Sequence, residues 1–193
     1  MTNVIPGLTA LTLVLGLAPA AQANDYEPTM RDYVQAQVLP WASDPVILNA
    51  LRAQNAAHSH IQQSEIDALD ARWRAEVGTG ATPTIDTVLK TPASDFLRAR
   101  VAQSSGVLSE VFVMDAEGLN VASSGVTSDY WQGDEAKFQQ TYPKGAGAVH
   151  VGEVEFDESS QSYQAQVSIT LADPATGEAL GAMTIGINAD SLM

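Results

Sequence analysis

The apolar residues of this chain change their period once, near Val107. Upstream, Ile47, Leu48, Leu51, Ile66, Leu69, Trp73 and Val77 recur at helical spacing. Downstream, runs such as Val111–Met114 and Val167–Leu171 read as strands separated by tight turns. Asp115-Ala116-Glu117-Gly118 is one such turn, with glycine where a left-handed residue is needed, and Asp173-Pro174-Ala175-Thr176-Gly177 repeats its chemistry. Helices first and an antiparallel meander afterwards predict an α+β fold: N-terminal helices packed on a sheet of about five strands.

The helical half divides at recognisable signals. Met30, Tyr33, Val34, Gln37, Val38 and Trp41 form a stripe that is expected to end near Pro40. Ser43-Asp44-Pro45 opens the next helix with a capping side chain and a proline in the first turn. A break is expected near residue 63, where Ser64 and Asp67 resemble a capping box. Gly78–Pro83 is a loop, Thr84–Lys90 a short helix, and Pro92–Asp95 starts another with Phe96, Leu97 and Val101 inward. The strand half contains a short helix near Asp134–Tyr142, the glycine-rich PKGAGA loop, and strands near Ala148–Phe156 and Gln161–Leu171.

Residues 1–24 carry no charged side chain, and Leu8–Ala20 is an apolar run of signal-peptide length followed by Ala21-Gln22-Ala23. Residues 1–23 are therefore expected to be an export signal and 24–193 a single domain, helical over 24–104 and sheet-forming over 107–190. An uncleaved signal would serve as an anchor. No second apolar segment follows, so no membrane-spanning output helix is expected. The absence of cysteine leaves stability to the core and suits a periplasm. Twenty-three Asp and Glu against nine Lys and Arg give a net charge of -14, which excludes nucleic acid as a natural partner.

Between the first hairpin and the short helix lies Thr127–Glu135, TSDYWQGDE. Tyr130, Trp131 and Phe138 are expected to form an aromatic wall, with Gln132, Asp134, Glu135 and Asp157 as acceptors and Lys137 as the one cation. Aromatics beside carboxylates suit an amine-bearing or cationic ligand. The alternative is that Tyr130 and Trp131 are core residues and Asp134 a helix cap. Glu153, Glu155 and Asp157 share a strand face without the turned loop of a calcium site, and no histidine spacing suits zinc. Phosphate-cradling, nucleophile-elbow and catalytic-cysteine motifs are missing, so neither cofactor, metal nor catalysis is expected.

The hairpin MDAEGLNVASS, the following TSDYWQGDEAKF and the closing VSITLADPATGEALGAMTIGIN resemble, in this order, the Cache domains, PAS-like extracellular sensor modules of bacteria. The resemblance covers most of the chain after the signal. It implies a long N-terminal helix or helices, a five- or six-stranded antiparallel sheet, and a ligand pocket between the sheet and the segment joining its central strands. Amino-acid-sensing members carry an R-x-W-Y element in the pocket helix. Here the Arg position resembles Glu135, Lys137-Phe138 replaces Trp-Tyr, and a later Tyr-Asp pair resembles Phe156-Asp157. Without the guanidinium there is no bidentate carboxylate clamp, which argues against an α-amino acid ligand.

The ligand-binding set read from the sequence is thus Tyr130, Trp131, Gln132, Asp134, Lys137, Phe138 and Asp157. The resemblance implies a periplasmic small-molecule sensor working through a membrane-bound sensor kinase or chemoreceptor, in a two-component or chemotaxis system, with a homodimer formed through the N-terminal helix. The competing readings are a ligand-free accessory module and, further off, an enzyme of unrecognised type.

Overall fold

A computed structural model describes residues 26–157, 162–188 and 191. The expected export signal lies outside the described residues. The first helical stretch comprises α1 (Glu27–Tyr33), a π turn (Val34–Val38) and α2 (Leu39–Ala42), so it runs past Pro40 instead of ending there. A proline removes one N–H and crowds the carbonyl four residues back. The wide turn, in which the Leu39 N–H reaches back to the Val34 carbonyl, accommodates that crowding.

The next helices follow the sequence signals closely. Asp44 caps α3 (Pro45–His58) by accepting the Val46 N–H at 2.9 Å. The break before α4 (Gln63–Glu76) falls at residues 59–62, but the reciprocal cap uses Glu65, which accepts the Gln62 N–H at 3.0 Å, and not Ser64 with Asp67. Glu76 in turn accepts the Thr84 and Ile85 N–H groups and so caps α5 (Pro83–Leu89), and Thr91 caps α6 (Pro92–Gln103). Among the described residues no helix is long and apolar enough to cross a membrane.

Strands β1 (Leu108–Met114), β2 (Asn120–Ser123), β3 (Val149–Val151), β4 (Glu155–Asp157), β5 (Ser162–Ala172) and β6 (Ala179–Asn188) form one antiparallel sheet in the order β2-β1-β6-β5-β3, with β4 also on β5. β3 and β4 meet successive stretches of β5, and Gly152 donates to the Gln166 carbonyl between them. They are two pieces of one interrupted edge strand. Six strands thus fill five lanes, as the strand signals anticipate.

Register decides what each face carries. Val113, Met183, Ile169 and Val149 form one cross-strand row, and Val111, Ile185, Val167 and Val151 another. Most of these are fully buried against Met30, Val34, Val38, Leu51 and Leu97 from the helices. Deleting a buried leucine such as Leu51 or Leu97 to alanine costs about 2–5 kcal/mol.

Helix α3 fixes both hairpin tips. Arg52 pairs with Asp173 at 2.6 Å, Asn55 bonds the Leu180 carbonyl and the Ala116 N–H, and His58 Nδ1 lies 2.7 Å from Asp115 Oδ2.

Candidate functional site

The face opposite the helices is polar by alternation, yet much of it is covered. Paired residues Phe112, Thr184, Ser168 and His150 run across it, beside the row Glu110, Gly186 and Gln166. Ser168 and Thr184 are each 0% exposed and bond one another at 2.9 Å. The roof is chain between β2 and β3: the loop 124–135, α7 (Ala136–Gln139) and a 3-10 turn (Tyr142–Lys144).

Backbone pairing and buried side chains hold this segment in place. Leu119 bridges to Trp131, Asn120 N–H donates to the Tyr130 carbonyl, and Gln132 N–H donates to the Gly118 carbonyl. Asn120 Nδ2 donates to Thr127 Oγ1 at 2.9 Å and to the Asp129 carbonyl at 3.1 Å. From α4, Asp70 accepts the Tyr130 and Trp131 N–H groups at 2.9 and 3.1 Å.

Between this roof and the sheet lies a pocket of about 120 Å³ bordered by Glu110, Phe112, Thr127, Gln132, Lys137 and Gln166, with Val126 and Ser128 at its lip. Gln166 Nε2 donates to Glu110 at 3.0 Å. Lys137 Nζ donates to Gln132 Oε1 at 3.2 Å, pairs with Glu135 at 2.9 Å and sits 5.4 Å over the Phe112 ring. Opposite charges and amide groups around a small volume can orient a polar molecule through several hydrogen bonds at once.

The structure gathers some of the residues anticipated from sequence and separates others. Gln132 and Lys137 border the pocket. Phe138 is buried with Phe112, Met114 and Ala182 and stacks on Tyr142 at 5.5 Å, forming the floor beside it. Tyr130 belongs to a different cluster, with Ile66, Trp73, Ile85, Val88 and Leu119, and stacks on Trp73. The indole of Trp131 covers the hairpin tip and donates to the Glu117 carbonyl at 2.8 Å. Asp134 is exposed at the surface. Asp157 ends β4, and its side chain lies outside the described residues. Tyr130, Trp131 and Phe138 therefore do not make one wall, because the segment crosses the sheet edge and sends its aromatics to different sides.

Glu110, Phe112 and Gln166 are the residues a reading of the loop alone misses. Their signal is in the strands: Gln164, Gln166, Ser168 and Thr170 alternate with Ala165, Val167, Ile169 and Leu171. Such alternation ordinarily marks a solvated face. Only the roof turns it into a lining.

No protein-family model matches the chain, and no curated protein matches it. Among solved structures it is similar to the extracellular domain of the histidine kinase rpHK1S-Z16, at 17% identity and a TM-score of 0.41, over 80% of this chain and 60% of that one. It is also similar to the sensory domain of the Campylobacter jejuni chemoreceptor Tlp3 with isoleucine bound, at 10% identity and a TM-score of 0.39, over 86% of this chain and 63% of that one. The sensor domain of the V. cholerae histidine kinase DctB gives 15% and 0.39, over 86% and 58%. The chain thus spans less than two thirds of the length of each of these sensory domains.

Proposed function

We propose that this chain is an exported, Cache-type sensor module that binds a small polar molecule beneath the roof of the sheet and passes occupancy to a separate membrane-bound receptor or histidine kinase. The observation that carries this reading is the covered polar face. Burying polar side chains costs free energy unless each finds a partner. Here Glu110, Gln132, Lys137 and Gln166 surround a pocket instead of being replaced by an apolar core. Lys137 already occupies the face of Phe112, so the aromatic surface that would suit a cationic ligand is taken by the protein's own ammonium. A ligand with an acceptor group toward Lys137, and any amine beside Glu110, suits the lining better than a simple cation. Release and capture would work through two positions of the loop 124–135 relative to the sheet.

A second reading, a ligand-free accessory module, is favoured by the size of the pocket. Its volume of about 120 Å³ is below the roughly 300–1,000 Å³ of small-molecule sites. A thermal-shift screen of small organic acids, amines and amino acids separates the two, because a ligand of the native state raises the melting temperature by mass action. The sensor reading expects a hit that Lys137→Met abolishes while the fold is kept. Silence across the library would favour the accessory module.

A further inference from the structure

A second and larger cavity, open to solvent along the exposed Ala53 and Ala57, lies on the helical side of the sheet edge. Its volume is about 430 Å³, within the roughly 300–1,000 Å³ of small-molecule sites. One wall is the small-residue stripe Ala50, Ala53 and Ala57 of α3, and the other is Val88 of α5 with Val121 of β2. Five polar side chains border it: Gln54, His58, Thr87, Thr91 and Tyr130.

The polar groups are arranged as a site. Tyr130 is only 6% exposed, and its hydroxyl has no hydrogen-bond partner among the described residues, although the ring is held firmly against Trp73. That hydroxyl opens onto the cavity, where water or a ligand group can meet it. Burial raises its pKa to about 12, so it stays a neutral donor. His58 Nδ1 is committed to Asp115, whose other carboxylate oxygen accepts the Glu117 and Leu119 N–H groups, while Gln54 Nε2 donates to the oxygen shared with His58. Nδ1 therefore carries a proton and Nε2 is left for the cavity. The hydrogen bond to Asp115 raises the imidazole above its usual pKa against an opposing effect of burial, so Nε2 becomes a charged donor at a higher pH than in a free imidazole. The hydroxyls of Thr87 and Thr91 are turned to the Thr84 and Val88 carbonyls. Among the described residues lining the cavity, the hydroxyl left without a protein partner is therefore that of Tyr130, a neutral donor.

We infer that this cavity is a second ligand site, for a small aliphatic carboxylate whose oxygens meet Tyr130 Oη and His58 Nε2 and whose short chain lies on the alanines of α3. It is distinct from the pocket beneath the roof and does not depend on that reading. Asp115, held by four donors, and the exposed Glu117 are the acidic groups acting on His58, and the charge of Asp115 also reaches Tyr130.

Butyrate is the probe, titrated into the full protein by heteronuclear NMR at about pH 6 and about pH 9, on either side of imidazole titration. Saturable shifts of the residues 53–58, 88 and 130 are expected, weakened about fivefold or more by Tyr130→Phe, which removes one hydrogen bond and keeps the ring stack. Binding should also be tighter at the lower pH, lose that pH dependence in His58→Gln, and be blocked by Ala53→Leu, which fills the groove from an exposed position. Lys137→Met should leave it unchanged. Absence of saturable shifts in folded wild type, or binding indifferent to Tyr130→Phe and Ala53→Leu, or binding lost with Lys137→Met, would each overturn the assignment.

Discussion

The indole of Trp73 lies parallel to the Tyr130 ring, 5.3 Å between centroids and 9° from coplanar, and donates from Nε1 to the Thr127 carbonyl at 2.8 Å. One fully buried side chain of α4 thus clamps the segment from Thr127 to Tyr130 that roofs the sheet. Trp73→Ala should cost about 3–5 kcal/mol. Tyr130→Phe should change stability by less than about 1 kcal/mol, since its hydroxyl bonds no protein group among the described residues. Urea denaturation of both variants checks the contrast, and similar losses would contradict it.

Asp70 is the polar counterpart of that clamp. Its carboxylate accepts the Tyr130 and Trp131 N–H groups and pairs with Arg74 at 2.7 Å. Asp70→Ala should lower stability by about 1–3 kcal/mol and raise amide exchange at Tyr130 and Trp131 above that of the core strands. Unchanged exchange at those two amides would show that Asp70 does not hold the segment.

Neither Gly118 nor Gly133, which meet at the hairpin tip, leaves room for a side chain. Gly118 has φ of +84°, and a Cβ there would lie 2.5 Å from the Gly133 Cα. A Cβ at Gly133 would collide with the Trp131 indole. Gly118→Ala is expected to cost at least about 1–3 kcal/mol and to weaken ligand binding, because the Gln132 N–H bonds the Gly118 carbonyl. Calorimetric melting measures the first effect, and a variant as stable as wild type would refute the steric reading.

His58 gives the fold a pH dependence of defined sign. Its folded pKa is raised by the hydrogen bond and charge of Asp115, with Glu117 adding to them. The stabilisation from the protonated pair is complete below about pH 6.5, the unfolded value, and is lost as pH rises through the higher folded value. His58→Gln should flatten that part of the stability profile, read as urea midpoints across the neutral range. A slope equal to wild type would place its origin elsewhere.

Local signals were written plainly in the sequence. Asp44-Pro45, the break before α4, and the two Asp-to-Gly turns can each be read because capping and turn chemistry depend on residues a few positions apart. Pro40 misled for a related reason: the π turn that absorbs it has no residue signature of its own. The pairing of His58 with Asp115 spans 57 positions, and the pocket combines strand residues Glu110 and Gln166 with loop residues Gln132 and Lys137. Such convergence depends on sheet register and on how the roof crosses the edge, neither of which is encoded locally. The cluster Tyr130 to Phe138 supplies Gln132 and Lys137 to the pocket beneath the roof, while its division between two sides of the sheet became visible only with the backbone in place.

The most direct measurement is amide and side-chain NMR of the protein titrated with the best compound from the thermal-shift screen, in wild type and Lys137→Met. Binding beneath the roof predicts saturable shifts at Glu110, Gln132, Lys137 and Gln166, and their loss in the folded variant. Shifts confined to other surfaces, or undiminished in Lys137→Met, would contradict the assignment of that pocket as the sensing site.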